Sequence, residues 1–410
     1  MKQFEIPEFY RSPIISQVKT KRKLADPRKK DFSPSLLDFG NIRFFIARHF
    51  GFCYGVENAL EISYKAIIEN PEKRIFLLSQ MIHNPDVNKD LLSHGIKFIQ
   101  DTDGTQLIPW DEITAEDIVI IPAFGATIEI ENILKNIGVC IEKYNTTCPF
   151  VEKVWNRSDR LGIDNHTIII HGKYNHEETR ATFSHSIQNA PALILKDLKE
   201  AEFLAEVILG KKSNEEFFHF FRGKFSKGFD PEKDLVKIGV VNQTTMLATE
   251  TQEITDYLRS IMLIKYSGSE IKNHIADTRD TLCYATNDNQ SATYGLMENE
   301  ADIAIVVGGY NSSNTTHLVE LLETKFTTFF ICSKDEIISI NEINSFDIHQ
   351  NKIIERKEFL KENKKPYTIV ITSGASCPDT VVDGVIKRLL TLSDSTVTIE
   401  SALAHFLVND

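Results

Sequence analysis

Nine short apolar runs, separated by segments with a helical repeat, constrain the fold of this chain more than any other feature. Each run is rich in Ile, Val, Leu and Phe. Such runs are typical of strands buried on both faces, and their alternation with amphipathic helices is typical of a parallel sheet. The sequence therefore predicts an α/β protein. The predicted strands are residues 43–47, 75–79, 118–122, 167–172, 192–196, 237–241, 303–308, 328–332 and 368–372.

Length and composition indicate a folded protein with more than one core. The chain has 410 residues, of which 42% are hydrophobic and 25% charged, so two or three domains are expected. The net charge of −12 argues against a nucleic-acid partner for the whole surface. Residues 1–16 lack the apolar core of a signal peptide, and no apolar run is long enough to cross a membrane. We expect a soluble, cytoplasmic protein.

The cysteines are too sparse for a disulfide scaffold, so they are expected to remain thiols with a metal or catalytic purpose. Cys53, Cys148 and Cys283 follow one another at comparable spacing once an insertion near 209–235 is set aside. One such cysteine in each of three similar α/β units would let three thiolates meet. Three thiolates without a fourth indicate an iron–sulfur cluster with one open iron. The remaining cysteines are Cys140, Cys332 and Cys377.

Polar side chains collect just after the predicted strands. In open α/β sheets, ligands bind beyond the carboxyl ends of the strands, close to helix N-termini that attract anions. These residues are therefore candidates to converge on one ligand. They are His83, His176, Thr244, residues 311–314 and Ser376.

Seven short motifs identify a family when they are taken together and in order. They are GFCYGV at 51–56, TTCPFV at 146–151, HxE at 176–178, NQTT at 242–245, LCYATNDNQ at 282–290, NSSN at 311–314 and SGASCPD at 373–379. From about Ile42 to Leu392 the chain resembles the 4-hydroxy-3-methylbut-2-enyl diphosphate reductase family of LytB type. The resemblance implies three similar α/β domains in a pseudo-threefold trefoil around a central, oxygen-sensitive 4Fe-4S cluster.

The expected domain organisation follows from the pattern and the resemblance together. Residues 1–41 are expected to be a mobile basic extension, and residues 393–410 a C-terminal tail. The three α/β domains are expected at 42–147, 148–282, which contains the insertion, and 283–392. The first strand, within 42–53, is alternatively assigned to the third domain.

The resemblance also implies roles for individual residues. Cys53, Cys148 and Cys283 are similar to the three cluster ligands, which leave one iron open. Glu178 is similar to the family's proton donor, and Thr244 to the threonine that helps to relay the proton. The residues similar to the family's diphosphate and hydroxyl contacts are His83, His176, Thr244, Ser312, Ser313, Asn314 and Ser376.

The implied reaction takes up two electrons and two protons and removes the allylic hydroxyl group as water. It converts (E)-4-hydroxy-3-methylbut-2-enyl diphosphate to isopentenyl and dimethylallyl diphosphates, the last step of the methylerythritol phosphate route to isoprenoids. The sequence has no flavin or nicotinamide fingerprint. A partner must therefore supply the electrons, and the resemblance implies ferredoxin or flavodoxin. No nucleic-acid or membrane partner is expected.

The chain departs from the family pattern in two loops. Phe124, in the run PAFGA, stands where many members have a histidine that contacts diphosphate. The usual proline after His176 is Glu177, and a later glycine is Ala181. Together with the N-terminal extension and the insertion, these changes resemble the longer plant and cyanobacterial branch of the family.

Two other interpretations remain open from the sequence. One is a quinolinate synthase-like dehydratase, which uses the same open-iron chemistry. The other is a non-catalytic iron–sulfur sensor or electron carrier. The motifs NSSN, NQTT and HxE argue against the first, and a sensor would not need His176, Glu178 and several hydroxyl donors beside its cluster.

Overall fold

The computed structural model describes residues 4–266, 271–276, 281, 283–360 and 366–408. Leu282, the last residue of the predicted second domain, lies outside the described residues, as do residues 1–3, 361–365 and 409–410 of the predicted extension, third domain and tail. The chain divides into two compact units. Unit 1 comprises Met1–Glu57, His83–Asp86 and Tyr284–Asp410, and unit 2 comprises Asn58–Ile82 and Val87–Cys283.

The described residues form alternating strands and helices. The strands are β1 Ser35–Asp38, β2 Ile42–Ile46, β3 Ile75–Leu77, β4 Lys97–Phe98, β5 Ile118–Ile120, β6 Thr167–His171, β7 Ala192–Leu195, β8 Ile238–Asn242, β9 Ile303–Val307, β10 Thr328–Ile331, β11 Ile337–Ser339, β12 Glu342–Asp347, β13 Lys352–Lys357 and β14 Tyr367–Ser373. The helices are α1 Pro13–Ala25, α2 Tyr54–Glu69, α3 Pro85–Ser93, α4 Ile128–Ile137, α5 Pro149–Ile163, α6 Glu177–Ser186, α7 Leu198–Ile208, α8 Asn214–Phe220, α9 Pro231–Asp234, α10 Ala248–Tyr266, α11 Ile271–His274, α12 Tyr284–Met297, α13 Ser313–Glu323, α14 Asp379–Leu392 and α15 Ile399–Val408. The α/β class is confirmed, and each predicted strand is present within two residues of its expected bounds.

Unit 1 is built on a five-stranded sheet with the order β1-β2-β14-β9-β10. Strands β2, β14, β9 and β10 run parallel, and β1 pairs antiparallel with β2. Strand β2, which matches the first predicted strand, thus pairs with β14, which lies within residues 283–392. In the β14–β9 pair Ser373 lies opposite Val307, so the segments that follow these two strands leave the sheet at the same edge. A smaller sheet has the order β11-β12-β13.

The N-terminal segment differs from the expected mobile extension. Ser12 accepts a hydrogen bond at Oγ from the backbone N–H of Ile15 and begins helix α1, and Pro13 occupies its first turn. Ile14, Ile15 and Val18 are buried in the core of unit 1. This apolar stripe is short and is followed by a basic run from Lys19 to Lys23, so the sequence did not predict it. The C-terminal tail also packs, since Leu403 and Phe406 of α15 are buried in the same core.

Unit 2 contains two separate three-stranded parallel sheets, with the orders β4-β3-β5 and β7-β6-β8. The insertion near 209–235 belongs to the core beside the second sheet, because Phe217, Phe221 and Phe229 are buried there. The strands that the sequence predicts in these two sheets are buried along their whole length: β3 and β5 in the first sheet, and β6, β7 and β8 in the second.

The cysteines and the helices bear on two expectations from the sequence, namely the absence of a disulfide scaffold and of a membrane-spanning segment. None of the six cysteines, all of which lie among the described residues, forms a disulfide. Among the helices that the structure describes, none combines the length and apolar character needed to span a bilayer.

Candidate functional site

The structure places the predicted site residues in two groups, one in each unit. The group in unit 1 consists of Cys53, His83, Ser312, Ser313, Asn314 and Ser376. The group in unit 2 consists of Cys148, His176, Glu178, Thr244 and Cys283.

The NSSN motif forms the start of helix α13 in unit 1. Ser312 is the residue that caps the helix, and its Oγ accepts hydrogen bonds from the backbone N–H of Thr315 at 3.3 Å and from the Thr315 hydroxyl at 2.9 Å. Ser313 and Asn314 follow in the first turn and are buried. Ser313 Oγ and Asn314 Nδ2 have no hydrogen-bond partner among the described residues. A helix N-terminus with unpaired donors is suited to binding an anion.

The orientation of the Asn314 amide is fixed by its neighbours. Its Oδ1 accepts hydrogen bonds from the backbone N–H of Ala375 at 2.9 Å and from Asn289 Nδ2 at 3.4 Å. Since both donors face the oxygen, the Nδ2 group is held on the opposite side of the amide as a donor. Asn314 is therefore preorganised to donate to an oxygen of a ligand.

His83 and Ser376 are held at the same edge of the sheet. The hydroxyl of Ser376 donates a hydrogen bond to the carbonyl oxygen of His83 at 3.2 Å. The backbone of His83 packs directly on Gly309, where a Cβ atom would lie 2.3 Å from the His83 carbonyl oxygen. Only glycine at 309 permits this close approach. The segment that carries His83 is thereby fixed beside the loop that leads into α13.

Cys53 lies just before helix α2 and is attached to the same loop network. Its backbone N–H donates a hydrogen bond to the carbonyl oxygen of Ala375 at 3.3 Å. Ala375 therefore binds Cys53 through its carbonyl group and Asn314 through its N–H group. One residue of the SGASCPD motif thus links the cysteine to the donors of α13 within unit 1.

Cys148 occupies the position before the first turn of helix α5 in unit 2. Its backbone N–H donates to the carbonyl oxygen of Ala123 at 3.0 Å. A helix N-terminus usually lowers the pKa of a thiol. Here the pKa of Cys148 is raised to about 12, mainly by burial and to a smaller extent by the nearby Cys283 thiol and Glu178 carboxyl. The structure therefore brings Cys148, Cys283 and Glu178 into electrostatic contact.

Glu178 is a buried carboxyl group in the first turn of helix α6. It accepts hydrogen bonds from the Thr244 hydroxyl at 3.0 Å and from the Thr244 backbone N–H. Burial raises the pKa of Glu178 to about 7, and the two hydrogen bonds from Thr244 oppose this rise. A carboxyl group with a pKa near neutrality can both hold and release a proton at physiological pH.

His176 begins the same helix as Glu178. Its Nδ1 accepts a hydrogen bond from the backbone N–H of Glu178 at 3.2 Å, which fixes the ring at the N-terminus of α6. The ring of Phe124 meets the imidazole edge to face, with the ring centroids 5.5 Å apart. The residue that departs from the family pattern therefore packs against a predicted substrate ligand.

Two residues that organise the site were missed by sequence reasoning. Gln243 accepts hydrogen bonds at Oε1 from the backbone N–H of Lys173 at 3.1 Å and from the Thr179 hydroxyl at 3.0 Å. It ties the loop before Glu178 to the strand end that carries Thr244. Asn289 is the other, through its contact with Asn314. Gln243 belongs to the NQTT motif and Asn289 to the LCYATNDNQ motif. Their place in these two motifs is the sequence feature that could have identified them as site residues.

The loop departure at Glu177 also has a structural partner. Glu177 is buried and accepts a hydrogen bond from the hydroxyl of Ser79, which follows strand β3.

Among the described residues, no three His, Cys, Asp or Glu side chains are placed to hold a single metal ion.

A protein family and several enzymes of known name are similar to this chain over most of its length. The LytB protein family matches residues 44–390. A 4-hydroxy-3-methylbut-2-enyl diphosphate reductase from Crocosphaera subtropica is 39% identical, with 85% of each chain covered. The enzyme of the same name from Prochlorococcus marinus is 38% identical and covers 94% of this chain and 96% of its own.

Two solved structures share the fold. One is the structure of (E)-4-hydroxy-3-methyl-but-2-enyl diphosphate reductase, described as the terminal enzyme of the non-mevalonate pathway. It has a TM-score of 0.51 and 22% identity, and covers 85% of this chain and 99% of its own. The other is an E-1-hydroxy-2-methyl-but-2-enyl-4-diphosphate reductase from Plasmodium falciparum, with a TM-score of 0.62, 21% identity, and coverage of 88% and 91%. The family match, the extent of identity and the common fold together place this chain in the LytB family.

Proposed function

We propose that this chain reduces (E)-4-hydroxy-3-methylbut-2-enyl diphosphate to isopentenyl and dimethylallyl diphosphates. The C4–O bond breaks, the oxygen leaves as water, and a C–H bond forms on the allyl group, so that two electrons and two protons are consumed. The observation that carries the proposal is the buried Glu178 with Thr244 beside it, in a chain of the LytB family. Family membership also argues against the dehydratase and sensor interpretations.

Glu178 is proposed to be the acid. Loss of the hydroxyl group as water and protonation of the allyl group both need a proton donor within hydrogen-bond distance. Because burial raises the pKa of Glu178 to about 7, about half of this carboxyl is protonated at neutral pH. Thr244 is proposed to bind the substrate hydroxyl and pass the proton, since its own hydroxyl already contacts Glu178 at 3.0 Å.

The diphosphate group is proposed to bind at the N-terminus of α13. Ser313 Oγ and Asn314 Nδ2 are buried donors without a hydrogen-bond partner among the described residues, and Ser312 and Ser376 contribute further hydroxyls beside them. Neutral donors stabilise phosphate oxygens without holding them as an ion pair would. His83 and His176 are proposed as additional ligands of the substrate.

Cys53, Cys148 and Cys283 are the residues that would hold a 4Fe-4S cluster with one open iron. Their chemistry fits this group, because thiolates are the usual ligands of such clusters. Burial raises the pKa of Cys148 to about 12, so a cationic metal centre is needed to stabilise its thiolate form. When bound, the cluster would supply the electrons and a Lewis-acidic iron for the substrate hydroxyl.

The electron donor and the domain organisation complete the proposal. We propose ferredoxin or flavodoxin as the donor. We also retain the division into α/β domains at 42–147, 148–282 and 283–392, with the first strand in the sheet of the third domain. Within unit 1 this assignment is supported by the pairing of β2 with β14.

Anaerobic purification of the full chain, followed by a turnover assay, tests the proposed function. The expected result is a brown protein that converts the substrate to the two diphosphate products, with reduced ferredoxin and reduced flavodoxin supplied in separate assays. Iron and sulfide that are present without turnover would instead identify a sensor or electron carrier.

The ligand assignment has its own test. Cys148→Ser is expected to lose most of its iron and sulfide during anaerobic purification, because a serine hydroxyl is a poor ligand for this cluster. Cys140→Ser is the matched control, since Cys140 is exposed and its replacement should leave the iron content unchanged. Equal iron content in wild type and both variants would contradict the role of Cys148.

A further inference from the structure

Unit 1 contains a basic cavity that Cys53 also lines, and its charged residues have no part in the proposed reaction. Its volume is about 220 Å³, and it lies between helix α1, the loop that follows it, the segment after β2 and the start of α12. The charged and titratable residues that line it are Lys19, Lys23, Lys29, Arg48, His49 and Asp288. The cavity exists only because the basic N-terminal segment folds onto unit 1.

Positive charge exceeds negative charge around this cavity. Four permanent cations line the cavity, and three carboxyl groups lie close to them. Lys29 is 3.5 Å from Asp288, Lys19 is 2.6 Å from Asp379, and Arg48 is 3.9 Å from Asp26. Burial raises the pKa of Asp288, and the neighbouring charge of Lys29 opposes this rise. His49 responds to the same environment. Burial is the main cause that lowers the pKa of His49 to about 4, and the charges of Arg48 and Lys29 lower it as well.

Hydrogen-bond donors also exceed acceptors here. Arg48 is only 7% exposed, and its Nη2 donates to the carbonyl oxygens of Arg22 and Asp26 at 3.2 and 3.3 Å. Its Nε has no hydrogen-bond partner among the described residues, and the same is true of Nε2 of His49, which also lines the cavity. Buried donors without acceptors are costly to a fold. A ligand rich in oxygen acceptors would satisfy several of them together.

We propose that this cavity is a second diphosphate-binding site, separate from the N-terminus of α13. Phosphate oxygens suit both the positive potential and the surplus of donors, and a guanidinium group binds them with favourable geometry. A small anion fits better than the surface of an acidic protein, because Arg48 is recessed and the space is concave. The inference does not depend on the proposed reaction.

A hydrogen bond connects the lining of the cavity to the proposed diphosphate site at α13. Asn289 lines the cavity, and its Nδ2 donates to Asn314 Oδ1, which sets the orientation of the Asn314 amide. An anion that displaced Asn289 would therefore alter the donor offered to the ligand at α13. Occupancy of the cavity is expected to change affinity at α13, and linkage requires the reverse effect to be equal.

Calorimetric titration of the full-length holoenzyme with inorganic diphosphate tests the proposal. Two classes of site are expected at low ionic strength. Lys23→Gln/Lys29→Gln should weaken one class by about tenfold, because two cations facing the cavity are removed. Asn314→Ala should weaken the other. Isopentenyl diphosphate is titrated in parallel: tighter binding than inorganic diphosphate would identify an isoprenoid as the source of the anion, and equal binding would identify free diphosphate.

The control is Arg28→Gln/Lys30→Gln, which removes the same charge from neighbouring exposed positions outside the cavity lining. It should bind diphosphate as wild type does. Identical isotherms for both double variants and wild type would overturn the proposal. So would a raised KM for reduced ferredoxin with unchanged diphosphate binding, which would show that the lysines contact an acidic carrier. Because Asn314→Ala removes a donor of α13 and leaves every residue of the cavity lining in place, failure of the α13 site remains distinguishable from failure of the cavity site.

Discussion

Helices α13 and α6 begin in the same way and offer opposite chemistry. Each follows a parallel strand in the interior of its sheet, β9 or β6, and each starts with a residue whose side chain accepts a backbone hydrogen bond. At α13 the buried first turn carries Ser313 and Asn314, which are neutral donors without partners among the described residues. At α6 it carries the carboxyl group of Glu178, which is already paired with Thr244.

The difference shows how one structural element can serve binding or proton transfer. An unpaired amide or hydroxyl in the first turn adds a donor to the positive end of the helix and favours an anion. A carboxyl group at the same place would repel that anion if it were ionised. Because burial raises the pKa of Glu178 to about 7, the group can remain neutral and donate its proton instead.

The largest expected effect comes from removing the acid. Glu178→Gln should reduce turnover by about 100-fold or more, since general acid catalysis contributes roughly that factor, while the iron content stays at the wild-type level. Glu152→Gln, an exposed glutamate in the first turn of α5, should behave as wild type. A wild-type rate for Glu178→Gln would show that the proton comes from elsewhere.

The next effect concerns the neutral donors of α13. Asn314→Ala should raise the KM for the diphosphate substrate by about 10- to 100-fold, the value of a hydrogen bond to a charged group. Asn314→Asp should raise KM further, because it places a carboxylate opposite the diphosphate. Thr324→Ala, at the exposed far end of the same helix, is the control. An unchanged KM in both Asn314 variants would remove this helix from the binding site.

The two regions should also differ in their pH dependence. The acid form of Glu178 predominates below its pKa of about 7, so turnover should fall by about tenfold for each pH unit above that value. Asn314→Ala should keep the same alkaline limb, because its amide does not titrate. A profile without this limb, measured at saturating substrate, would contradict the assignment of Glu178 as the acid.

The same shift predicts the direction of a stability change. The pKa of Glu178 is raised from 4.5 to about 7 in the folded state, so the folded chain holds a proton that the unfolded chain releases between these values. Stability should therefore decrease as pH rises through this range. In denaturant unfolding of the holoenzyme, Glu178→Gln should lose less stability between pH 5 and 8 than wild type. An equal loss would show that Glu178 does not titrate in this range.

The main sheets were predictable because their strands carry their own signal. Strands such as β6 and β9 are short runs of apolar residues that are buried along their whole length. Strand β13, Lys352–Lys357, was not predicted, because its residues are mostly exposed and show no apolar repeat. Helix α1 was missed for a different reason, since its buried Ile14, Ile15 and Val18 are followed directly by a run of lysines and arginines.

The candidate site was predictable as a set of positions but not as a set of contacts. Motifs located Glu178 and Asn314 at the ends of strands. The partners that define their chemistry, Thr244 and Ala375, lie 66 and 61 residues away along the chain. Burial of Glu178, which raises its pKa, likewise depends on long-range packing. A local sequence pattern contains no information about either.

The smallest predicted effect separates the hydroxyl of Thr244 from its backbone. The Thr244 hydroxyl lowers the pKa of Glu178 by stabilising the carboxylate. Thr244→Val removes this hydrogen bond and keeps the N–H group, so the alkaline limb of the turnover profile should move to higher pH by about one unit. Thr244→Ser, which retains the hydroxyl, should leave the limb in place even if its rate changes. A limb that moves equally in both variants would mean that packing around Glu178, rather than the hydroxyl of Thr244, sets its pKa. In that case α6 would control its acid by burial alone, and its difference from α13 would be one of solvent exclusion rather than of hydrogen bonding.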